Sequence, residues 1–123
     1  MLDFEIVVVS GAYPSSVAMS RDILDAAARL APRLGAPVPR WAFRSLHGGC
    51  VALRGGLSVE TTPLPQRRRG NRSVCVLPGL GAEAQSLLAQ MRTPECSALA
   101  TMLSRQVAGG GQVAASCSAV FLL

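Results

Sequence analysis

Residues 4–9 read FEIVVV, four β-branched side chains in a run interrupted only by Glu5. A strand with one wet face alternates apolar and polar. A nearly unbroken apolar run belongs to a strand covered on both faces, as at the centre of a parallel sheet. Parallel neighbours cannot be joined by a tight hairpin, so a crossover must follow, usually a helix. The sequence supplies one. SGAYPSS at 10–16 is turn chemistry, and SVAMSRDILDAAARLAPRLG at 16–35 has helical spacing. Val17, Leu24, Ala27, Ala28 and Ala31 fall near one face, with Ile23 and Leu30 at its edge. Ser15 or Ser16 is placed to cap the start, and Pro32 and Gly35 to end it.

The pattern then repeats. Residues 38–46 alternate, as expected of a strand with one solvated face, and HGGCVALRGGLSVET reads as short strands joined by glycine turns. VCVL at 74–77 is a second buried strand, closed by PGLGAE. Two helices follow, AEAQSLLAQMR and TPECSALATMLSRQV. Thr93 suits the N-cap of the second, with Pro94 at its first helical position. Its apolar stripe is Leu99, Met102, Leu103 and Val107, and the glycines at 109–111 stop it. A short strand at 112–115 leads into Cys117 and an apolar, helix-like end. Strands 4–9, 38–46, 74–77 and 112–115 are expected in one sheet, with 4–9, 74–77 and 112–115 parallel and buried. The fold class is α/β, a three-layer α/β/α flavodoxin-like arrangement with a mostly parallel sheet.

Composition narrows the function. The 123 residues suit one modest domain, and 50% apolar with 15% charged residues excludes a disordered chain. Aromatics at 4% leave no base-stacking platform. The net charge is +5, and all twelve cationic residues are arginines. Arg67, Arg68, Arg69 and Arg72 cluster in a Pro-containing connection, expected to be a solvated loop because no helix pattern would place them in a groove. Cys50, Cys75, Cys96 and Cys117 form no CxxC pair, His47 is the single histidine, and no metal site is expected. GLGAE lacks the full dinucleotide fingerprint, so no cofactor is expected either. No signal peptide and no run of roughly 18 apolar residues is present, which points to the cytoplasm, free thiols and no membrane partner. Cys50, Cys75 and Cys96 read as packing residues.

Cys117 differs because of its position. A strand, a sharp turn and a helix expose a nucleophile at the carboxyl edge of an α/β sheet. The partial positive charge and free N–H groups of a helix start favour a thiolate there. The turn after 74–77 places Gly79 where its backbone N–H can approach Cys117.

VCVLPGLGA, followed by VAASCSAVFLL, resembles the class I glutamine amidotransferase-like superfamily in its intracellular-protease-like (PfpI-type) branch. YPSSVAMSRDILDAAARL is similar to the corresponding segment in the N-terminal domains of AraC-family transcriptional regulators. The likeness runs in order over the whole chain and is most specific at 74–81 and 113–123. It implies that Cys117 holds the position of the family's nucleophile and Gly79 that of its oxyanion-side glycine. Ser118 would give a second backbone N–H. The family's carboxylate position falls at about Ser16, and its histidine lies beyond the end of this sequence. Ala119 stands where relatives often have glycine.

The resemblance implies that the chain is the N-terminal part (1–123) of a glutamine amidotransferase-like domain, without a DNA-binding domain. The expected function is the non-catalytic ligand-sensing or dimerising part of an AraC-type regulator. Its partners would be a small-molecule effector and a second copy, with DNA reached only through a region outside this sequence. The alternative is a cysteine-dependent enzyme such as a glyoxalase/deglycase or amide hydrolase, with Ser16 in place of a carboxylate arguing against it. A redox-sensing thiol at Cys117 is a third reading. The sequence ends about one turn into the last helix, so a C-terminally incomplete domain with an exposed apolar face is expected.

Overall fold

The structure, a computed structural model, describes residues 2–65, 73–80 and 83–122. Six strands form one sheet, β1 (Leu2–Val7), β2 (Pro39–Ser45), β3 (Gly49–Ala52), β4 (Ser58–Pro63), β5 (Ser73–Leu77) and β6 (Gln112–Ala115). Three α-helices accompany them, α1 (Pro14–Leu34), α2 (Ala84–Met91) and α3 (Pro94–Ala108). The strand order is β3-β4-β2-β1-β5-β6, with β2, β1, β5 and β6 mutually parallel and β3 antiparallel to β4. From β1 the chain crosses through α1 to β2, and from β5 it crosses through α2 and α3 to β6 in the opposite direction. Right-handed crossovers in opposite directions put their helices on opposite faces, which makes the three layers.

Residues 4–9 occupy the centre as their pattern requires. Ile6, Val7, Val8 and Val9 are each at most 3% exposed, although β1 itself ends at Val7. Consecutive strand side chains point to opposite faces, so this burial needs cover on both. The Val8 N–H still bonds the Arg44 carbonyl at 2.7 Å. Charged pairs bind β1 to β2. Asp3 lies opposite Arg40 and pairs with it at 2.9 Å, and Glu5 pairs with Arg44.

Several local expectations are corrected. The N-cap of α1 is Tyr13, with Pro14 at N1 and no side-chain cap, so neither Ser15 nor Ser16 caps the helix. The helix runs through Pro32 to Leu34 and is closed by Gly35 at φ 63°. Pro32 is tolerated because an α-helix is already near its end there. Val17, Leu24 and Ala31 are buried on α1, while Ala27 faces out. On α3, Thr93 caps the Cys96 N–H as expected, Leu99 and Leu103 are buried, and Val107 is 54% exposed. Cys75 and Cys96 are packing residues, whereas Cys50 is exposed on the outer strand β3. Strand β6 pairs in parallel as expected but is only half buried, because it is the edge of the described sheet. The segment after Cys117 is a 3-10 turn over Cys117–Leu122 rather than an α-helical start. The arginine cluster at 67–72 lies outside the described residues.

Candidate functional site at the sheet switch point

In an open α/β sheet, ligands bind beyond the carboxyl ends of the strands where chain direction reverses. Here that point lies between β1 and β5. From β1 the chain proceeds to β2 on one side, and it returns to β5 on the other. The loops that leave these two strands carry Ser10–Tyr13 and Pro78–Leu80, and β6 next to them delivers Ser116 and Cys117.

Gly79 is buried and held from both sides by the start of α1. The Tyr13 N–H donates to the Gly79 carbonyl at 3.0 Å, and the Gly79 N–H donates to Ser16 Oγ at 2.7 Å. The corrected helix start explains this. With Tyr13 as N-cap, Ser16 lies inside the first turn and its hydroxyl is free to reach across to β5's exit. A Cβ added at Gly79 would lie 3.4 Å from Cys117 Cβ and 3.5 Å from Ser16 Oγ. Glycine therefore forms the floor between these two side chains.

Cys117 is exposed and adopts φ 52°, the one non-glycine residue in the left-handed region among those described. That backbone costs about 1–2 kcal/mol in an L-residue. The corner is fastened on each side. The Ser116 N–H donates to the Leu77 carbonyl at 2.9 Å, and the Ala119 N–H donates to the Ser116 carbonyl at 3.1 Å. Ser118 follows in the 3-10 turn.

The structure thus brings Ser16, Gly79 and Cys117 together. The Gly79 N–H, expected to face the cysteine as an oxyanion donor, is instead committed to Ser16. A neutral hydroxyl can accept that bond and still donate its own proton, but it cannot hold a charge. Among the described residues no three His, Cys, Asp or Glu groups gather into a metal-binding cluster. His47 is exposed in the β2–β3 turn and hydrogen-bonds to none of the described residues. Cys96 is buried on α3, and that burial pushes its thiol up from the ordinary 9.0, Glu95 adds to the rise, and the hydrogen bond with Thr93 opposes it. It stays a neutral core thiol.

Two supports were not evident in the sequence. Gln90 Nε2 donates to the Ser10 carbonyl at 2.6 Å, and Glu95 Oε1 accepts from the Ser10 N–H at 3.4 Å, so α2 and α3 hold the β1 exit loop. Tyr13 also carries the guanidinium of Arg54 over its ring, 4.9 Å from the centroid. Pro14, a residue favoured at N1, was the signal that Tyr13 is the cap.

No protein-family model matches the sequence, and no curated protein matches it. Solved structures do, and the chain shares its α/β fold with DJ-1 proteins and with an AraC-family transcriptional regulator. An AraC family transcriptional regulator from Pseudomonas putida superposes with a TM-score of 0.66 at 19% identity, over 94% of this chain and 64% of its own. Drosophila melanogaster DJ-1beta gives 0.68 at 23% identity, over 99% and 58%. A DJ-1 superfamily protein from Agrobacterium tumefaciens gives 0.65 at 22% identity, over 99% and 56%. The chain therefore spans between 56% and 64% of the length of these three structures. No helix among the described residues is long and apolar enough to cross a membrane.

Proposed function

We propose that the Ser16–Gly79–Cys117 corner is the non-catalytic ligand-sensing site of an AraC-type transcriptional regulator, with DNA contacted through a region outside this sequence. The observation that carries this reading is the 2.7 Å bond from the Gly79 N–H to Ser16 Oγ. An acyl- or carbonyl-transfer site needs that donor free for a developing oxyanion, and a base or acid within reach of the reacting atom. Here a neutral hydroxyl takes the donor, at about the position where the family resemblance implies a carboxylate. What is left is an exposed thiol beside a hydroxyl and backbone groups, suited to binding and poorly suited to turnover.

A cysteine-dependent enzyme is the second reading, and it is favoured by the left-handed backbone of Cys117, since strain of this kind collects at functional sites. The test compares the wild type with Cys117→Ser in assays with small aldehydes and amides. No turnover above buffer is expected from either, and turnover lost in Cys117→Ser would overturn the proposal. Gly79→Ala supplies the binding arm. Its methyl meets its nearest neighbours at ordinary contact distance, so the fold should persist while the space between Ser16 and Cys117 fills. Small molecules that raise the melting temperature of the wild type should leave this variant unshifted.

A further inference from the structure

We propose that Arg54, stacked on Tyr13, is an anion-recognition arm beside this corner, and that the small molecule sensed there carries a carboxylate. The proposal deepens the reading of the corner as an effector site and rests on it.

Arg54 stands apart in charge balance. Arg21, Arg29, Arg40 and Arg44 each pair with a carboxylate. Arg33, Arg92 and Arg105 sit at the C-terminal ends of α1, α2 and α3, where the helix dipole compensates a positive charge. Among the described residues Arg54 is the one arginine with neither. Its guanidinium has no carboxylate within 4.0 Å and hydrogen-bonds to none of the described residues, so its donors are available. Its compensation is the Tyr13 ring, which orients the group without consuming those donors.

Its placement is fixed by backbone. Arg54 lies in the β3–β4 connection, which docks on the β1–α1 turn. The Gly11 N–H donates to the Ala52 carbonyl at 2.9 Å, and the Arg54 N–H donates to the Ala12 carbonyl at 3.1 Å. Tyr13, under the guanidinium, bonds the carbonyl of the same glycine whose N–H Ser16 holds. Tyr13 and Ser16 thus meet at one residue, Gly79, from its carbonyl and its N–H. The residue that carries the charge is therefore tied, through Tyr13, to the glycine that lies against Cys117. No carboxylate of the corner's own elements competes for it. Glu95 is engaged with Ser10, and the first turn of α1 holds no acidic residue. A planar fork of N–H donors matches a carboxylate in bidentate fashion, and the Ser16 hydroxyl adds a neutral donor.

The probes are iodoacetate and iodoacetamide, alkylating agents of similar size that differ in charge. Their rates at Cys117 are read by peptide mass spectrometry, with exposed Cys50 as the internal comparison. A single positive charge held on Tyr13 should favour the anion, so Arg54→Gln should lower the iodoacetate-to-iodoacetamide ratio at Cys117 about fivefold, leaving the iodoacetamide rate unchanged. Tyr13→Phe keeps the ring and should keep the ratio, while Tyr13→Leu should lose it. Acetate should slow iodoacetamide labelling of Cys117 in the wild type, and acetamide should not. A ratio equal in wild type and Arg54→Gln, with both variants melting alike, overturns the anion arm. That failure leaves the absence of turnover untouched, and turnover at Cys117 would sink the sensor reading whatever the ratio.

Discussion

At the scale of single residues, the chemistry here is set by what each group is already bonded to. Ser16 matters because its hydroxyl takes the Gly79 N–H, and Cys117 matters because its backbone is bent into an exposed corner. Cys96 shows the opposite case, a thiol whose burial keeps it neutral. A thiol raised in the folded state ionises more readily in the unfolded chain. Its contribution to stability is complete below pH 9.0 and is lost as pH rises through and beyond that value. Urea melts from pH 7 to pH 10.5 should thus show wild-type stability falling more steeply in the alkaline half than that of Cys96→Ala. Parallel slopes would refute the assignment. Much of the residue scale was legible in the sequence. The strand-ending turns and the family likeness singled out Cys117, Gly79 and Ser16, and the structure puts these three side by side. The bond that joins Ser16 to Gly79 was not, because Ser15 and Ser16 are both good caps and the pattern alone does not say which hydroxyl stays free. The Arg54–Tyr13 stack was also hidden, since it depends on how a hairpin docks on a distant turn.

At the scale of elements, the β3–β4 hairpin is the piece that brings Arg54 onto Tyr13, and its entry is narrowly specified. Ser45 Oγ accepts the Gly48 N–H at 2.9 Å and lies 2.6 Å from Thr61 Oγ1, which donates to the Gly49 carbonyl at 2.7 Å. Ser45 and Thr61 are buried polar side chains, and this chain of bonds satisfies them. Gly48 has φ 77°, and a Cβ there would come within 2.7 Å of Pro63 Cδ and 3.0 Å of Pro63 N. Gly48→Ala must pay for a left-handed backbone and displace a proline, about 2 kcal/mol or more. Chemical denaturation should show that loss, and the charge preference at Cys117 should fall with it, because the hairpin carries the guanidinium. An unchanged midpoint would mean that the turn adapts. The glycine turns themselves were readable in HGGCVALRGG, but the exposure of Cys50 was not, since apolar spacing does not reveal which strand becomes an edge.

For the whole molecule, burial falls from the centre of the sheet to the β6 side. Ile6 is fully buried in β1, while Val113 and Ala115 in β6 are only partly covered. Beside them a groove of about 810 Å³ runs between α3 and the sheet, lined by Val74, Leu103, Val107, Val113 and Leu122 among others. The apolar run at 4–9 announced the centre, and strand–helix alternation announced a mostly parallel sheet, but the order β3-β4-β2-β1-β5-β6 came only with the structure. The half-open edge did not show in the residues of 112–115, because QVAA reads the same whether or not a neighbour covers it. Amide exchange should follow this gradient. Backbone amides of β1, bonded on both sides and roofed on both faces, open only with global unfolding, whereas those of β6 exchange by local opening. β1 should therefore exchange slowest and β6 fastest among the parallel strands. A hydrophobic dye should bind the groove, and Val107→Glu should weaken that binding severalfold without lowering the melting temperature, since this side chain is already 54% exposed. Equal protection of β1 and β6, with no dye bound, would show that the groove is closed in solution.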